Sequence, residues 1–287
     1  MAGIPNRIRF MKMAGSGNDF IIIDNRELQL DKAQARELTV AACRRKLSAG
    51  ADGLILIDND PEVDFKWLFF NADGSEAEMC GNGARCAARF ARLNGIVDKD
   101  RIAFRTLAGI IQAQILGERV KIRMTPPHSM EIDFCIDLEE KAFCMHFINT
   151  GVPHVVSFVE TETQLQDFDV FTWGRTVRFH PRFQPAGSNA NFAYVRDPHN
   201  IAIRTYERGV EAETLACGTG SIACALVAAA KDLVLSPVDV LTQSGETLVI
   251  HFDKVSQDGK IDFPSVYLEG DAKVVYDAEL WDETILR

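Results

Sequence analysis

The feature that most constrains the fold of this chain is the internal duplication of one short motif. Cys80-Gly81-Asn82-Gly83 and Cys217-Gly218-Thr219-Gly220 share the pattern Cys-Gly-x-Gly, and the two cysteines lie 137 positions apart. A glutamate precedes each cysteine by four positions, as Glu76 and Glu213. Because a motif that recurs with its surroundings indicates repeated structural units, the chain is predicted to consist of two similar halves.

The likeness extends to the segments on either side of each motif. Residues 67–70 and 201–206 alternate or run together in apolar side chains and predict a short strand before each cysteine. Residues 84–91 and 222–230 are small and apolar nearly all round, which predicts a buried helix after each cysteine. Further strands are predicted at 20–23, 54–57, 110–115, 120–124, 155–158, 247–252 and 266–268.

The predicted fold class is α+β, with two pseudo-symmetric domains that are each a curved, mostly antiparallel sheet around one central helix. Pro126 and Pro127 follow a predicted strand and interrupt both strand pairing and helix formation. The first domain is therefore expected to span residues 1–124 and the second residues 125–271. A last strand, within about 272–287, is expected to return to the first domain, and we expect a cleft between the two.

Composition limits the classes of partner. The chain has 287 residues, a net charge of -10 and a pI near 5.1, which argues against binding to nucleic acid or to an anionic membrane and favours a small-molecule ligand. No apolar run reaches the roughly 18 residues that span a bilayer, and no signal peptide is recognisable, so a cytoplasmic protein is expected. The seven cysteines include no Cys-x-x-Cys pair, which argues against a disulfide framework and a structural zinc site.

The position of each motif cysteine at a helix start has chemical consequences. The first backbone N–H groups of a helix lack partners within it and, with the positive end of the helix dipole, favour a thiolate. We therefore expect lowered pKa values for Cys80 and Cys217, and a carboxylate or similar anion docked beside each. The glycines that follow let a ligand approach the backbone closely.

Two simpler interpretations compete with this one. A cysteine in an alanine-rich segment is usually a small buried hydrophobe, and we assign that structural role to Cys86 and Cys224. For Cys80 and Cys217 the matched pair of motifs argues against it. A phosphate-binding loop also begins with Gly-x-Gly, but neither copy continues as a Walker or dinucleotide-binding motif.

Five ordered motifs carry a resemblance to a known family over essentially the whole chain. They are Gly15-Ser16-Gly17-Asn18-Asp19-Phe20, Gly50-Ala51-Asp52-Gly53, Phe70-Asn71-Ala72-Asp73-Gly74-Ser75-Glu76, Cys80-Gly81-Asn82-Gly83-Ala84-Arg85-Cys86, and Tyr206-Glu207-Arg208-Gly209 with Glu213-Thr214-Leu215-Ala216-Cys217-Gly218-Thr219-Gly220. With these motifs the sequence resembles the diaminopimelate epimerase family.

The resemblance implies interconversion of LL- and meso-2,6-diaminopimelate in lysine and peptidoglycan precursor biosynthesis, without metal or pyridoxal phosphate. It implies that Cys217 is the base toward the LL substrate and Cys80 the acid on the other face. The amides around Gly81-Asn82 and Gly218-Thr219 would hold the reacting carboxylate. The family likeness also implies a homodimer.

For the distal amino-acid centre of the substrate, the resemblance points to Asn18, Asn71, Asn189 and Arg208, with Glu207 as acceptor for an ammonium. It also places His154 and Glu207 where they tune the two thiols. The sequence departs from the family at two positions. Gly53 stands where some members carry a ligand-contacting Gln, and Val152 where many carry Asn.

Two alternatives of different kinds remain at this stage. A proline or hydroxyproline racemase also uses two cysteines at such helix starts, although Asn82 and the segment 207–209 favour a substrate with a second amino-acid head group. A non-catalytic thiol redox protein would instead use Cys80 and Cys217 as a regulatory disulfide. Substrate turnover by the reduced protein separates the two classes.

Overall fold

Alternating apolar segments make strands the dominant element of the chain. The computed structural model describes residues 5–138 and 141–285. The chain divides into two units, of which unit 1 comprises Met1–Ile122 with Gly270–Arg287 and unit 2 comprises Arg123–Glu269. Within residues 5–138 and 141–285, every helix is too short or too polar to cross a membrane.

Unit 1 is a mixed, mostly antiparallel sheet. Its strands are β1 (Arg7–Gly15), β2 (Asn18–Asp24), β3 (Gly53–Asp58), β4 (Phe65–Asn71), β5 (Arg101–Thr106), β6 (Gly109–Leu116), β7 (Arg119–Arg123) and β17 (Lys273–Trp281). Strand β17 pairs with β1, and the remaining pairs follow chain order from β1 to β7. The pairs β2–β3 and β4–β5 are parallel, and the others are antiparallel. Its helices are α1 (Lys32–Ala42), α2 (Gly81–Leu93) and α6 (Asp282–Ile285).

Unit 2 has the same type of sheet. Its strands are β8 (His128–Leu138), β9 (Lys141–Asn149), β10 (Pro153–Phe158), β11 (Asn189–Asp197), β12 (Asn200–Glu207), β13 (Ala212–Thr214), β14 (Val238–Leu241), β15 (Thr247–Gln257) and β16 (Lys260–Asp271). Only β10–β11 and β12–β14 are parallel among its pairs of described strands. Its helices are α3 (Glu162–Gln166), α4 (Val170–Phe179) and α5 (Gly218–Ala230). A short 3-10 turn at Pro181–Phe183 lies between α4 and β11.

The predicted duplication is confirmed by the order of strand pairing. Starting from β17–β1 in unit 1 and β8–β9 in unit 2, both units run through antiparallel, antiparallel, parallel, antiparallel, parallel, antiparallel and antiparallel pairs. The short β13 is an addition on β12 in unit 2. The two units thus share one order of parallel and antiparallel strand pairs, although their sequences differ.

Each unit wraps its sheet around one of the two predicted helices. Helix α2 contacts β1, β2, β3 and β6, whereas α5 contacts β9, β10, β11, β12, β14 and β15. All residues of α5 from Gly220 to Ala229 are buried, because their side chains are small or apolar. The α+β class and the two central helices were therefore predicted correctly.

The peripheral helices were not predicted from the sequence. Asp31 is the N-cap of helix α1: its carboxylate accepts from the Gln34 amide, and the Gln34 side chain accepts from the Asp31 amide. Asp169 is the N-cap of helix α4, and its carboxylate accepts from the Thr172 amide. In both segments the capping residue marks the start of the helix in the sequence. It indicates the helix more clearly than the short amphipathic pattern that follows it.

Candidate active site

Cys80 occupies the N-cap of helix α2. The backbone of Cys80 is extended, and its sulfur accepts from the Gly83 amide at 3.5 Å. The carbonyl of Cys80 accepts the first helical hydrogen bond, from Ala84 at 2.8 Å. The residue as a whole is partly exposed, whereas most of the helix that it caps is buried.

Cys217 occupies the equivalent position of helix α5. Its sulfur accepts from the Gly220 amide at 3.4 Å and lies 3.5 Å from the Thr219 hydroxyl. Its carbonyl accepts from the Ser221 amide at 2.9 Å. Unlike Cys80, this cysteine is buried. The two cysteines share one capping geometry, as the repeated motif predicts.

The expectation that the helix starts lower the thiol pKa values is wrong. Burial, together with the nearby Glu207 carboxylate, raises the pKa of the Cys217 thiol to about 11, against the contributions of Thr219 and Gly220. Burial also raises the pKa of Cys80, although amide groups of Gly83 and Asn82 oppose this. Loss of water outweighs a few N–H dipoles, because a thiolate loses more solvation than those dipoles return.

A buried arginine holds the helix start of α2 in unit 1. The Arg85 guanidinium is fully buried and donates to the Asn82 side-chain oxygen at 2.9 Å and to the Ser16 hydroxyl at 2.8 Å. Asn82 in turn donates to the Asn18 side-chain oxygen at 2.8 Å. Two predicted substrate contacts, Asn18 and Asn82, are therefore oriented by one residue whose role was not predicted. The signal was a charged side chain among the small, buried residues in the first half of the helix.

A group of charges supports the other end of Asn18. Its amide donates to an Asp52 carboxylate oxygen at 3.0 Å. Arg45 contacts both Asp52 and Asp19, at 2.8 Å and 2.6 Å, and Lys12 approaches Asp19 at 2.8 Å. Because each carboxylate has a cationic partner, the cluster holds Asp52 where it accepts from the Asn18 side chain.

Asn71 lies exposed at the end of β4, next to the turn that contains Ser75. Its backbone amide donates to the Ser75 carbonyl at 2.9 Å and its side-chain amide to the Ser75 hydroxyl at 3.0 Å. Asp73 accepts from the backbone and hydroxyl of Ser75 at 2.8 Å and 2.6 Å. The turn therefore presents Asn71 in a fixed position.

In unit 2 a hydrogen-bond network defines the state of His154. The Asn191 side-chain oxygen accepts from the Thr205 hydroxyl at 3.0 Å, and its amide donates to the Val155 carbonyl at 2.8 Å. The same amide lies 3.0 Å from His154 Nδ1, which must then be the acceptor. The proton of the neutral ring is thereby assigned to Nε2.

His154 is buried completely, and burial lowers its pKa to about 3. The ring is therefore neutral over the physiological pH range. Its Nε2 atom is buried without a hydrogen-bond partner among residues 5–138 and 141–285. A buried neutral N–H donor without a partner is an unsatisfied group, which a hydrogen-bond acceptor would stabilise.

The remaining predicted contacts of unit 2 lie around the end of β12. The Asn189 side chain donates to the Pro153 carbonyl at 3.0 Å and accepts from the Arg208 amide at 2.8 Å. It therefore joins the segment that contains His154 to the start of the turn after Glu207. The Arg208 guanidinium donates to the Ala186 carbonyl at 2.9 Å. Burial raises the pKa of the Glu207 carboxyl, partly offset by Thr214.

One contact that was not predicted reaches the Cys217 helix start. The hydroxyl of Thr150, in the turn after β9, donates to the Thr219 carbonyl at 3.1 Å. The two residues are 69 positions apart, so no local pattern shows it. The glutamate before each cysteine forms an ion pair: Glu76 pairs with Lys32 at 2.9 Å and Glu213 with Arg204 at 2.7 Å.

The departure at Gly53 has a steric cause. A Cβ atom at this position would lie 2.6 Å from the Phe69 ring and 2.7 Å from the Phe70 carbonyl, so no side chain fits without displacement. Phe69 therefore occupies the space that a Gln side chain would need. At the second departure, the Val152 carbonyl accepts from the Thr150 amide at 3.2 Å, a backbone contact that does not depend on the side chain.

The predicted site residues thus form two groups, each within one unit. Unit 1 contains Asn18, Asn71, Cys80, Gly81 and Asn82, and unit 2 contains His154, Asn189, Glu207, Arg208, Cys217, Gly218 and Thr219. In the part of the chain that is described, no three His, Cys, Asp or Glu side chains gather where they could hold a metal ion.

Comparison with solved structures identifies the fold. A Bacillus anthracis protein titled as a phenazine biosynthesis protein of the PhzF family superposes with a TM-score of 0.73 at 14% identity, over 96% of this chain and 99% of the other. A hydroxyproline epimerase from Agrobacterium vitis gives 0.65 at 14% identity, over 96% and 93%. At this level of identity the likeness concerns the fold alone.

Sequence comparison identifies the family. The family model described as diaminopimelate epimerase matches residues 10–130 and 146–275. The diaminopimelate epimerase of Aquifex aeolicus (strain VF5) is 45% identical over 97% of this chain and 99% of its own length. That of Hydrogenobaculum sp. (strain Y04AAS1) is 47% identical over 94% and 97%. Because the match extends over nearly the full length of both relatives and includes both cysteine motifs, the chain belongs to the diaminopimelate epimerase family.

Proposed function

We propose that this chain interconverts LL- and meso-2,6-diaminopimelate, without a metal or pyridoxal phosphate, and that Cys80 and Cys217 are its two acid–base residues. The observation that supports this most directly is their shared geometry. Each sulfur caps the corresponding helix of one unit and accepts from the third helical amide, at 3.5 Å and 3.4 Å. Duplication alone accounts for two copies of the motif, whereas the retention of a thiol at both helix starts favours a chemical role for the two sulfur atoms.

In the proposed reaction, the Cys217 thiolate removes the α-proton of the LL substrate and becomes a thiol. The Cys80 thiol then delivers its proton to the opposite face of the same carbon and becomes a thiolate. One proton leaves the substrate and one enters it, so the substrate changes configuration without oxidation. Amides at the two helix starts, around Gly81-Asn82 and Gly218-Thr219, would bind the α-carboxylate and stabilise the negative charge that develops on it.

Because the pKa of Cys217 is raised, substrate binding has to lower it before the thiolate can form at neutral pH. Glu207 raises that pKa through its negative charge. If the carboxylate accepts an ammonium group of the substrate, its field at the sulfur is neutralised and the thiolate becomes easier to form. The base would then be generated mainly when the substrate is bound.

Recognition of the distal, non-reacting centre is proposed for Asn18, Asn71, Asn189 and Arg208. Arg208 can bind a carboxylate with two parallel hydrogen bonds. The His154 Nε2–H donor is proposed to serve an acceptor at the reacting centre, because the ring is neutral and buried. On the family resemblance, we also propose that the protein acts in the cytoplasm, as a homodimer, in lysine biosynthesis.

The test is proton exchange at the substrate in deuterated water. The reduced wild-type protein should introduce deuterium at one α-carbon of LL-diaminopimelate and form the meso isomer. Cys80→Ala and Cys217→Ala should each lose about 10²- to 10⁴-fold or more in kcat, since neither face can be served by the other residue. Cys86→Ala, which changes a buried cysteine in the helix that Cys80 caps, should keep most of the activity.

The outcomes separate the alternatives. Near-normal turnover by either alanine variant would overturn the two-base proposal. Exchange on proline in place of diaminopimelate would indicate the racemase alternative. A redox protein would show no turnover when reduced and would change its properties only on oxidation.

A further inference from the structure

A pair of cysteines outside the proposed active site lies on the β8–β9 hairpin of unit 2. Cys135 of β8 and Cys144 of β9 are directly opposite each other in the antiparallel register. Their sulfur atoms are 3.0 Å apart, and both side chains are exposed. We propose that these two residues are a dithiol modification site, which forms a reversible disulfide by exchange with a low-molecular-weight disulfide.

The alternation of the hairpin directs this pair to solvent. The flanking positions Phe134, Ile136 and Met145 are buried in the core of unit 2. Phe134 pairs with Met145, and Ile136 with Phe143, one step on either side of the cysteine pair. Because consecutive side chains of a strand point to opposite faces, core packing of these neighbours keeps both thiols on the accessible face.

The backbone already has the geometry that a disulfide requires. Directly opposite residues of antiparallel strands have Cα atoms about 4.5–5.5 Å apart, and disulfides are found at about 4.4–6.8 Å. The sulfur atoms need to approach by about 1 Å to reach the bonded distance of about 2.0 Å. Small side-chain rotations can supply this movement, and no strand has to leave the sheet.

The chemistry balances with a small disulfide as the oxidant. The thiolate of one cysteine attacks the small disulfide, forms a mixed disulfide and releases one small thiolate. The second cysteine, as thiolate, attacks the protein sulfur of that mixed disulfide, forms the Cys135–Cys144 bond and releases the second small thiolate. The protein loses two electrons and two protons, and the small disulfide is reduced to two thiols.

The second step is intramolecular and therefore fast. The attacking sulfur begins next to its target, so it does not have to diffuse to it. We therefore expect the mixed disulfide to be short-lived in the wild-type protein. It should accumulate only when the partner thiol is absent.

Tryptic mapping can observe this directly, because Lys141 lies between the two cysteines. Cleavage after Arg123, Lys141 and Arg175 places Cys135 alone in residues 124–141 and Cys144 alone in residues 142–175. The folded, reduced protein is incubated with oxidised glutathione, free thiols are blocked with iodoacetamide, and the digest is analysed by mass spectrometry without reduction. The two peptides should appear joined, with a mass lower by two hydrogens than their sum, and should separate after reduction.

Single variants provide the matched controls. In Cys135→Ser and in Cys144→Ser, the remaining cysteine should retain glutathione, at an occupancy at least about tenfold above that of the same residue in the wild type, because no second thiol displaces it. The buried Cys43, in residues 37–44, should remain reduced throughout.

Two results would overturn the proposal. One is glutathione retained on wild-type Cys135 or Cys144 at the level of the single variants. The other is a bridge that joins either residue to a different cysteine. Since the readout is a peptide mass, it is independent of whether the protein turns over diaminopimelate.

Discussion

Among single residues, Cys217 shows how strongly its surroundings control the chemistry of a thiol. Two amide groups and the Thr219 hydroxyl favour its thiolate, whereas burial and the Glu207 charge oppose it, and the second pair of effects is larger. A pKa of about 11 means that the resting residue is a thiol at neutral pH. The cysteine is therefore protected from unspecific alkylation and oxidation until a ligand changes its environment.

This balance predicts the effect of removing the Glu207 charge. In Glu207→Gln, the pKa of Cys217 should fall, because a negative charge no longer opposes the thiolate. Alkylation of Cys217 by iodoacetamide at pH 8 should then be about three- to tenfold faster than in the wild type, as expected for loss of one nearby like charge. The rate is measured from pH 7 to pH 11 by mass spectrometry of residues 209–231, with fragmentation to separate Cys217 from Cys224.

The matched control is Glu213→Gln, since this nearby glutamate is held by Arg204. It should leave the alkylation profile of Cys217 unchanged. An identical profile for Glu207→Gln and the wild type would contradict the assignment of the charge effect to Glu207.

At the scale of elements, the two helix starts look alike in sequence but are packed differently. A Cβ atom on Gly220 would lie 2.4 Å from the Asn191 side-chain oxygen, within the network that fixes His154. A Cβ atom on Gly83, the matching residue of α2, would lie 3.3 Å from the end of the Ile55 side chain, which can move. Glycine is therefore required by packing at the start of α5 and is replaceable at the start of α2.

Alanine substitution at these two positions should give opposite results. Gly220→Ala should lower the free energy of unfolding by about 1–3 kcal/mol, because the methyl group forces Asn191 out of its hydrogen bonds. Gly83→Ala should be neutral or stabilising by up to about 1 kcal/mol, since alanine is the better helix former. Urea denaturation followed by circular dichroism measures both, and equal effects of the two variants would contradict this account of the packing.

On the scale of the whole molecule, the repeat explains what could be predicted and what could not. The duplicated motif and its apolar flanks predict α2, α5 and the class of fold, because those patterns are local. The Arg85 contacts could not be predicted, since they join α2 to Ser16 and to the carbonyl of Asp271, 186 positions away. The direction of the cysteine pKa shifts was wrong for the same reason, because burial is a property of the assembled unit.

Stability against acid is a further property of the assembled protein, and His154 is expected to contribute to it. Its pKa is about 3 in the folded state and about 6.5 when unfolded, so between these values the unfolded chain binds the extra proton. The free energy of unfolding that depends on a neutral His154 is therefore fully present above about pH 6.5 and falls as the pH is lowered toward 3. At pH 5 the loss amounts to about 2 kcal/mol.

Urea denaturation at pH 7 and pH 5 tests this contribution. His154→Gln should be less stable at pH 7, and its free energy of unfolding should fall by about 2 kcal/mol less between the two pH values than that of the wild type. His128→Gln, which changes an exposed histidine, should show the wild-type dependence. If His154→Gln and the wild type lose the same stability on acidification, the buried neutral ring is not the source.

The pairing of β17 with β1 has a consequence for folding during synthesis. Unit 1 cannot complete its sheet until the ribosome has made Trp281, because its outer strand is encoded after the whole of unit 2. About 150 residues separate Ile122 from β17, which at about 5–20 residues per second amounts to roughly 8–30 s with one edge of β1 unpaired. Unit 2 emerges without interruption and can close first. The two copies of the repeat are thus completed in the reverse of the order in which they begin, and the nascent chain must keep an open β-edge from pairing wrongly in the interval.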